Sequence, residues 1–134
     1  MENTCGKILL IDDDPFFLKI LADAFRDGGF AVLTANDGVE GVQSFIDNSP
    51  EVVISDMIMP RMGGVSTCLE IARLSADPEQ IIILLTSMFQ GAPHEHEISE
   101  MGARFHISKS TKPLDVVIIV EQLLDRKKYR QITG

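Results

Sequence analysis

The sequence predicts a single α/β domain, a parallel sheet of five strands with five helices covering both faces. Two observations carry this. Short apolar runs without polar alternation recur along the chain, as strands buried on both faces require. Stretches with helical apolar spacing separate them, which is the βα alternation of a parallel sheet. A length of 134 residues suits one domain with its own core.

The elements follow in order. Lys7 to Ile11 is the first apolar run, closed by Asp12-Asp13-Asp14-Pro15. Asp14 suits a helix N-cap and Pro15 the first helical position. The first helix carries Phe17, Leu18, Leu21, Ala22 and Phe25 on one face and stops at Gly28-Gly29. Phe30 to Ala35 is the second strand. Val39, Val42, Phe45 and Ile46 mark the second helix, broken by Ser49-Pro50. Val52 to Ser55 forms the third strand. Val65 to Ser75 forms the third helix, with Val65, Cys68, Leu69 and Ala72 turned inward. Ile81 to Leu85 is the most apolar strand, and is expected at the centre. A weak fourth helix spans Pro93 to Met101, and Arg104 to Ser108 a short fifth strand. Pro113 opens the last helix, Leu114 to Arg126, with Leu114, Val117, Ile118, Glu121 and Leu124 at helical offsets.

Composition narrows the function. The formal net charge is −8, which argues against nucleic-acid binding by this domain, because phosphate contacts need a basic face. Arg126-Lys127-Lys128-Tyr129-Arg130 suits the negative end of a closing helix better than a DNA site. No apolar stretch reaches bilayer length, and no secretory signal is read at the start. Cys5 and Cys68 lack any metal-ligand spacing and read as reduced thiols, so the expected location is cytoplasmic.

Ligands of open α/β sheets bind beyond the carboxyl ends of the strands. Those ends carry Asp12 and Asp13, then Asp56, then Thr86 and Ser87, then Lys109. Clustered carboxylates repel each other. A hard divalent cation such as Mg²⁺ offsets that with oxygen ligands and leaves room for waters and phosphate. Capping is an alternative reading for Asp14 and Asp12, but not for Asp56, because Met57-Ile58-Met59-Pro60 cannot cleanly begin a regular helix.

The segments ILLIDDDP, VVISDMIMPRMGG, IIILLTS and GARFHISKS resemble the receiver domain of bacterial two-component response regulators, including chemotaxis-type regulators. The resemblance covers residues 5–128 and leaves 129–134 as a C-terminal tail or the start of a linker. It implies a flavodoxin-like three-layer sandwich with strand order 2-1-3-4-5. It implies Asp56 as phosphoacceptor, taking a phosphoryl group from a histidine kinase or histidine phosphotransfer protein. Asp12, Asp13, Asp56 and the backbone carbonyl of Ile58 would hold Mg²⁺. Thr86 and Lys109 would contact the phosphoryl group. Thr86 and the residue at the switch-aromatic position, His106, would then shift the surface of the fourth helix, fifth strand and fifth helix. The protein would catalyse its own phosphorylation and slow dephosphorylation, but act mainly as a signalling switch. A phosphorylation-dependent homodimer is within what the resemblance allows, and the output partner is not named by it. The alternative is a phosphorylation-independent pseudo-receiver. Such modules lose the acids, the acceptor or the lysine, and all of these are kept here.

Four departures from the family pattern stand out. Ser110 follows Lys109 where the family has proline after a cis bond. A non-proline cis bond costs about 3 kcal/mol, so a trans bond is expected. Lys112-Pro113 makes Lys112 the rival lysine. His106 replaces Tyr or Phe. Ile58 and Met88 are apolar where the family overhangs the phosphoryl group, which predicts a shielded, long-lived phosphorylated state. Gly63-Gly64 stands where Asp-Gly is usual, which removes a capping side chain. In His94-Glu95-His96-Glu97 the histidines are two apart and do not share a helix face. Phe16 is expected near the pocket, exposed to a partner.

Overall fold

The computed structural model describes residues 5–59, 61–86 and 103–133. Five parallel strands form one sheet in the order β2-β1-β3-β4-β5. They are β1 (Gly6–Ile11), β2 (Phe30–Ala35), β3 (Val52–Asp56), β4 (Ile81–Thr86) and β5 (Phe105–Ser108). Four helices stand among the described residues: α1 (Pro15–Asp27), α2 (Gly38–Asn48), α3 (Gly64–Leu74) and α4 (Pro113–Thr133). The helix expected over 93–101 lies outside the described residues, as do Ser87, Met88 and the His94–Glu97 segment.

Strand side chains alternate between two cores. Ile8, Leu10, Ile54, Ile83 and Leu85 face α1 and α4, meeting Leu18, Leu21, Phe25, Val116, Val117 and Val120. Leu9, Ile11, Val53, Ile82 and Leu84 face α2 and α3, meeting Phe45, Cys68 and Ile71. Burial on both faces is why these strands read as unbroken apolar runs.

Several expectations need correction. The central strand is β3; β4, though fully buried, lies between β3 and β5. On α2, Val39 and Ile46 are half-exposed, and the buried residues are Gly38, Gly41 and Phe45. A Cβ on Gly41 would lie 2.5 Å from Ile11 Cδ1. This helix therefore approaches the sheet through glycines, which apolar periodicity does not register. The face of α3 is likewise turned: Thr67, Cys68 and Ile71 are buried while Leu69 and Ala72 point out. On α4 the inward residues are Val116, Val117 and Val120, with Leu114 and Ile118 exposed.

Helix α4 also runs past Arg126 to Thr133, through the expected tail. Its cations do more than complement the helix end. Lys127 pairs with Asp77, and Arg130 lies 3.6 Å from Glu79. Gln80 donates to the carbonyls of Pro50 and Glu51 at 3.1 and 2.9 Å. Residues 75–80 are thus tied to the far end of α4 at the amino edge of the sheet. Cys5 is exposed and Cys68 buried, both as free thiols. Burial pushes the Cys68 thiol up to about 12, so it stays protonated and inert.

Candidate functional site

At the carboxyl edge, β1 passes directly into the acidic loop. The Asp12 N–H donates to the carbonyl of Ala35, which extends the β1–β2 ladder by one residue. Asp12 Oδ1 accepts from the Asp14 N–H at 2.9 Å. Asp14 Oδ1 in turn accepts from the N–H groups of Phe16 and Phe17 at 3.0 and 3.3 Å, capping α1. Each aspartate of the triplet therefore has a separate place: Asp12 is 2% exposed, Asp13 stands in solvent, and Asp14 holds the helix.

Asp56 closes β3, opposite Leu85 of β4. The Met57 N–H donates to the Leu85 carbonyl at 3.1 Å, and the Met57 carbonyl accepts from the Gly64 N–H at 2.9 Å. A Cβ on Gly64 would lie 2.1 Å from the Asp56 carbonyl oxygen. Only glycine lets the first turn of α3 pass this close to the Asp56 backbone. Gly63 is the N-cap and offers no side-chain bond, as expected. Arg61 has a φ of 66° and pairs with Asp37 through Nη2 at 2.5 Å, which anchors the β3–α3 loop to the start of α2. Sequence reasoning missed this brace, since nothing in the spacing of Asp37 and Arg61 announces it.

Lys109 follows β5. Its N–H donates to the Thr86 carbonyl at 2.7 Å, so the ends of β4 and β5 are locked together. Its Nζ lies 2.9 Å from Asp12 Oδ2 and 3.4 Å from Asp56 Oδ1. The same ammonium sits 4.8 Å from the centre of the Phe17 ring. The rival, Lys112, is exposed on the way into α4. The described residues contain no cis peptide bond, so Lys109–Ser110 is trans. Thr86 is buried at the end of β4, whereas His106 is exposed on β5. The Ile58 side chain is 74% exposed beside Asp56.

The electrostatics follow from this packing. Burial, and then the charge of Asp12, raise the Asp56 pKa above its ordinary value against the opposing pull of Lys109. Burial also works against the Lys109 charge, but its bond to Asp12 and the charges of Asp56 and Asp12 outweigh it, so its pKa is raised. One oxygen from each of Asp12, Asp13 and Asp56 falls within 4.8 Å of the others. Lys109 is the one cation of the described residues paired with them, so negative charge remains in excess. Asp12 Oδ2 is buried, and its one partner among the described residues is the Lys109 ammonium 2.9 Å away. An under-satisfied, buried carboxylate oxygen inside an oxygen-only cluster fits a hard cation of the Mg²⁺ type.

A concavity of about 690 Å³ lies at the opposite end of the sheet between the start of β1 and α4. Its acids, Glu51, Glu121 and Asp125, share the lining with Lys127 and Lys128, whereas the close cluster of three carboxylates among the described residues is Asp12, Asp13 and Asp56. The acidic edge instead opens at the surface through exposed Asp13.

Comparisons agree with this geometry. Residues 8–121 match the family model of the response regulator receiver domain. The chain is 33% identical over 124 residues to the probable transcriptional regulator ycf27 of Guillardia theta, covering 92% of this chain and 47% of that protein. The crystal structure of a response regulator receiver domain protein from Clostridium thermocellum superimposes with a TM-score of 0.81 at 31% identity, over 92% of this chain and 98% of that one. The chemotaxis response regulator CheY4 of Vibrio cholerae gives a TM-score of 0.80 at 26% identity, over 90% and 99%. The chain spans about half the length of the first curated relatives it matches.

Proposed function

Because this chain belongs to the response regulator receiver family of two-component signalling, we propose that Asp56 accepts a phosphoryl group from the phosphohistidine of a histidine kinase or phosphotransfer protein. The observation that carries this reading is the joint approach of Asp12, Asp13, Asp56 and Lys109 at one strand edge. A carboxylate oxygen of Asp56 attacks phosphorus. The P–O bond forms as the P–N bond breaks, and its electron pair returns to the imidazole nitrogen. Mg²⁺ held by Asp12, Asp13, Asp56 and the Ile58 carbonyl would neutralise the carboxylates and the equatorial oxygens.

The remaining work falls to the chain. Lys109 supplies positive charge where oxygens gather, and its raised pKa keeps it protonated. The Asp56 product carries more charge and more acceptor oxygens than a carboxylate. Thr86, at the end of the adjacent strand, would donate to them. Moving Thr86 would loosen the link of its carbonyl to Lys109 and pass the change along β5 toward His106 and α4. The shift would be read by an output domain or partner, or by a second copy of the chain.

Incubation with acetyl phosphate and Mg²⁺ tests the reading. Wild type should gain one phosphoryl group and Asp56→Ala none. Equal labelling of the two, or labelling that survives chelation of Mg²⁺, would overturn it.

A further inference from the structure

Ser110 stands where the family's proline would fix the lysine, and the bond before it is trans. Something else must hold Lys109 in place. Its backbone is fixed by a serine turn. The Ser110 N–H donates to Ser108 Oγ at 3.2 Å, the two hydroxyls lie 2.8 Å apart, and the Thr111 N–H donates to the Ser108 carbonyl at 3.0 Å. A fixed backbone does not fix a flexible side chain, since lysine carries large rotamer freedom.

We infer that Phe17 is a positioning residue for Lys109, its ring face seating the ammonium beside Asp56. The ring is itself held. Its backbone N–H bonds the cap oxygen of Asp14, and its partly buried side chain packs against the core under α1 and α4. Phe16, the next residue back, is 78% exposed and takes no part. The ammonium lies 4.8 Å from the Phe17 ring centre, inside the range where the negative ring face attracts a cation. Among the described residues, Nζ also pairs with Asp12 and Asp56. Both are also the oxygens that a divalent cation would take. The ring is the contact a cation does not compete for, so it can keep Lys109 at the site when the carboxylates are engaged elsewhere.

This inference rests on Asp56 being the phosphoacceptor, so its test separates the two. In metal-free wild type, with Lys109 identified through Lys109→Arg, the Lys109 side-chain methylene protons should resonate upfield of those of the other lysines. Absence of that ring-current shift would overturn the seat whether or not Asp56 is phosphorylated. The rate of acetyl phosphate labelling should fall about threefold to tenfold in Phe17→Leu, the range a face-on ring contact accounts for. Phe17→Tyr, which keeps the ring, should restore the rate at a matched melting temperature. Equal rates in the leucine and tyrosine variants would overturn the role. If wild type itself takes no label, the acceptor reading fails, and the proton shift alone decides the seat.

Discussion

Lys109 reaches across the carboxyl edge of the sheet to Asp12, with its Nζ 2.9 Å from Oδ2. Asp12 is almost fully buried, so removing the lysine leaves a buried charge uncompensated. Lys109→Met should destabilise the metal-free protein by about 1–2 kcal/mol, discounted because the lysine is partly exposed. In Mg²⁺ the gap to wild type should narrow, because the ion takes over the neutralisation. Urea melts in chelator and in Mg²⁺ measure this. A gap that stays the same in both would show that no cation serves these carboxylates.

Asp56 titrates in the opposite sense to an ordinary paired carboxylate. Burial and the Asp12 charge raise its pKa, so the folded state binds a proton that the unfolded state has already lost. Stability from this group is present below the ordinary carboxylate value of 3.8 and is lost as pH rises through the higher folded pKa. Metal-free Asp56→Asn should lack that loss and be the more stable protein at neutral pH. In Asp12→Asn, carboxyl NMR should find Asp56 titrating lower than in wild type.

At the other end of the sheet the sign reverses. The bond from Lys127 holds the Asp77 pKa below its ordinary value. That stability is present above the unfolded pKa and disappears as pH falls through the folded one. The Asp77 side chain is 40% exposed, so Asp77→Asn should cost about 1 kcal/mol or less at pH 7. The cost should vanish in acid below the folded pKa. Denaturant midpoints across pH decide it, and a constant cost would mean that the pair is not electrostatic.

The sheet and the acids were legible because both obey local rules. Buried parallel strands leave unbroken apolar runs, and strand ends place Asp12, Asp13, Asp56 and Lys109 regardless of packing detail. Helix faces were less legible. Gly38 and Gly41 carry the contact of α2 with its neighbours, and glycine has no hydrophobic signal, so the reading turned Val39 and Ile46 inward. The Arg61–Asp37 brace, the Lys127–Asp77 pair and the Phe17 seat join residues distant in sequence. No periodicity marks such pairs. One signal was available: Phe16-Phe17 falls in the first turn after the capping Asp14, where helix phase must send the two rings to different faces.

Ile58 projects into solvent beside Asp56. Positioned over a phosphoryl group, an apolar side chain offers no hydrogen bond to an attacking water. Ile58→Asn should therefore shorten the lifetime of the acyl phosphate severalfold without changing the requirement for Asp56. Loss of radiolabel from purified phosphoprotein measures it. A wild-type lifetime of only seconds, or an unchanged lifetime in the variant, would refute the shield.

Gly63 and Gly64 look interchangeable in sequence, yet they should respond oppositely to substitution. A Cβ at Gly64 meets the Asp56 carbonyl oxygen at 2.1 Å and Met57 Cα at 2.7 Å, both backbone atoms of the acceptor loop. Neither can yield without moving Asp56. Gly64→Ala should cost about 2–3 kcal/mol, as overpacking does, and slow labelling of Asp56 as well. At Gly63 the nearest atom is the Met57 carbonyl oxygen at 3.8 Å, and φ is −69°. A side chain fits there. Because this N-cap makes no side-chain bond, Gly63→Asp should stabilise the fold by about a few tenths of a kcal/mol. Thermal melts of the two variants test the pair. Equal destabilisation would mean that the start of α3 tolerates neither side chain, and that the close approach at Gly64 is not what fixes the Asp56 backbone.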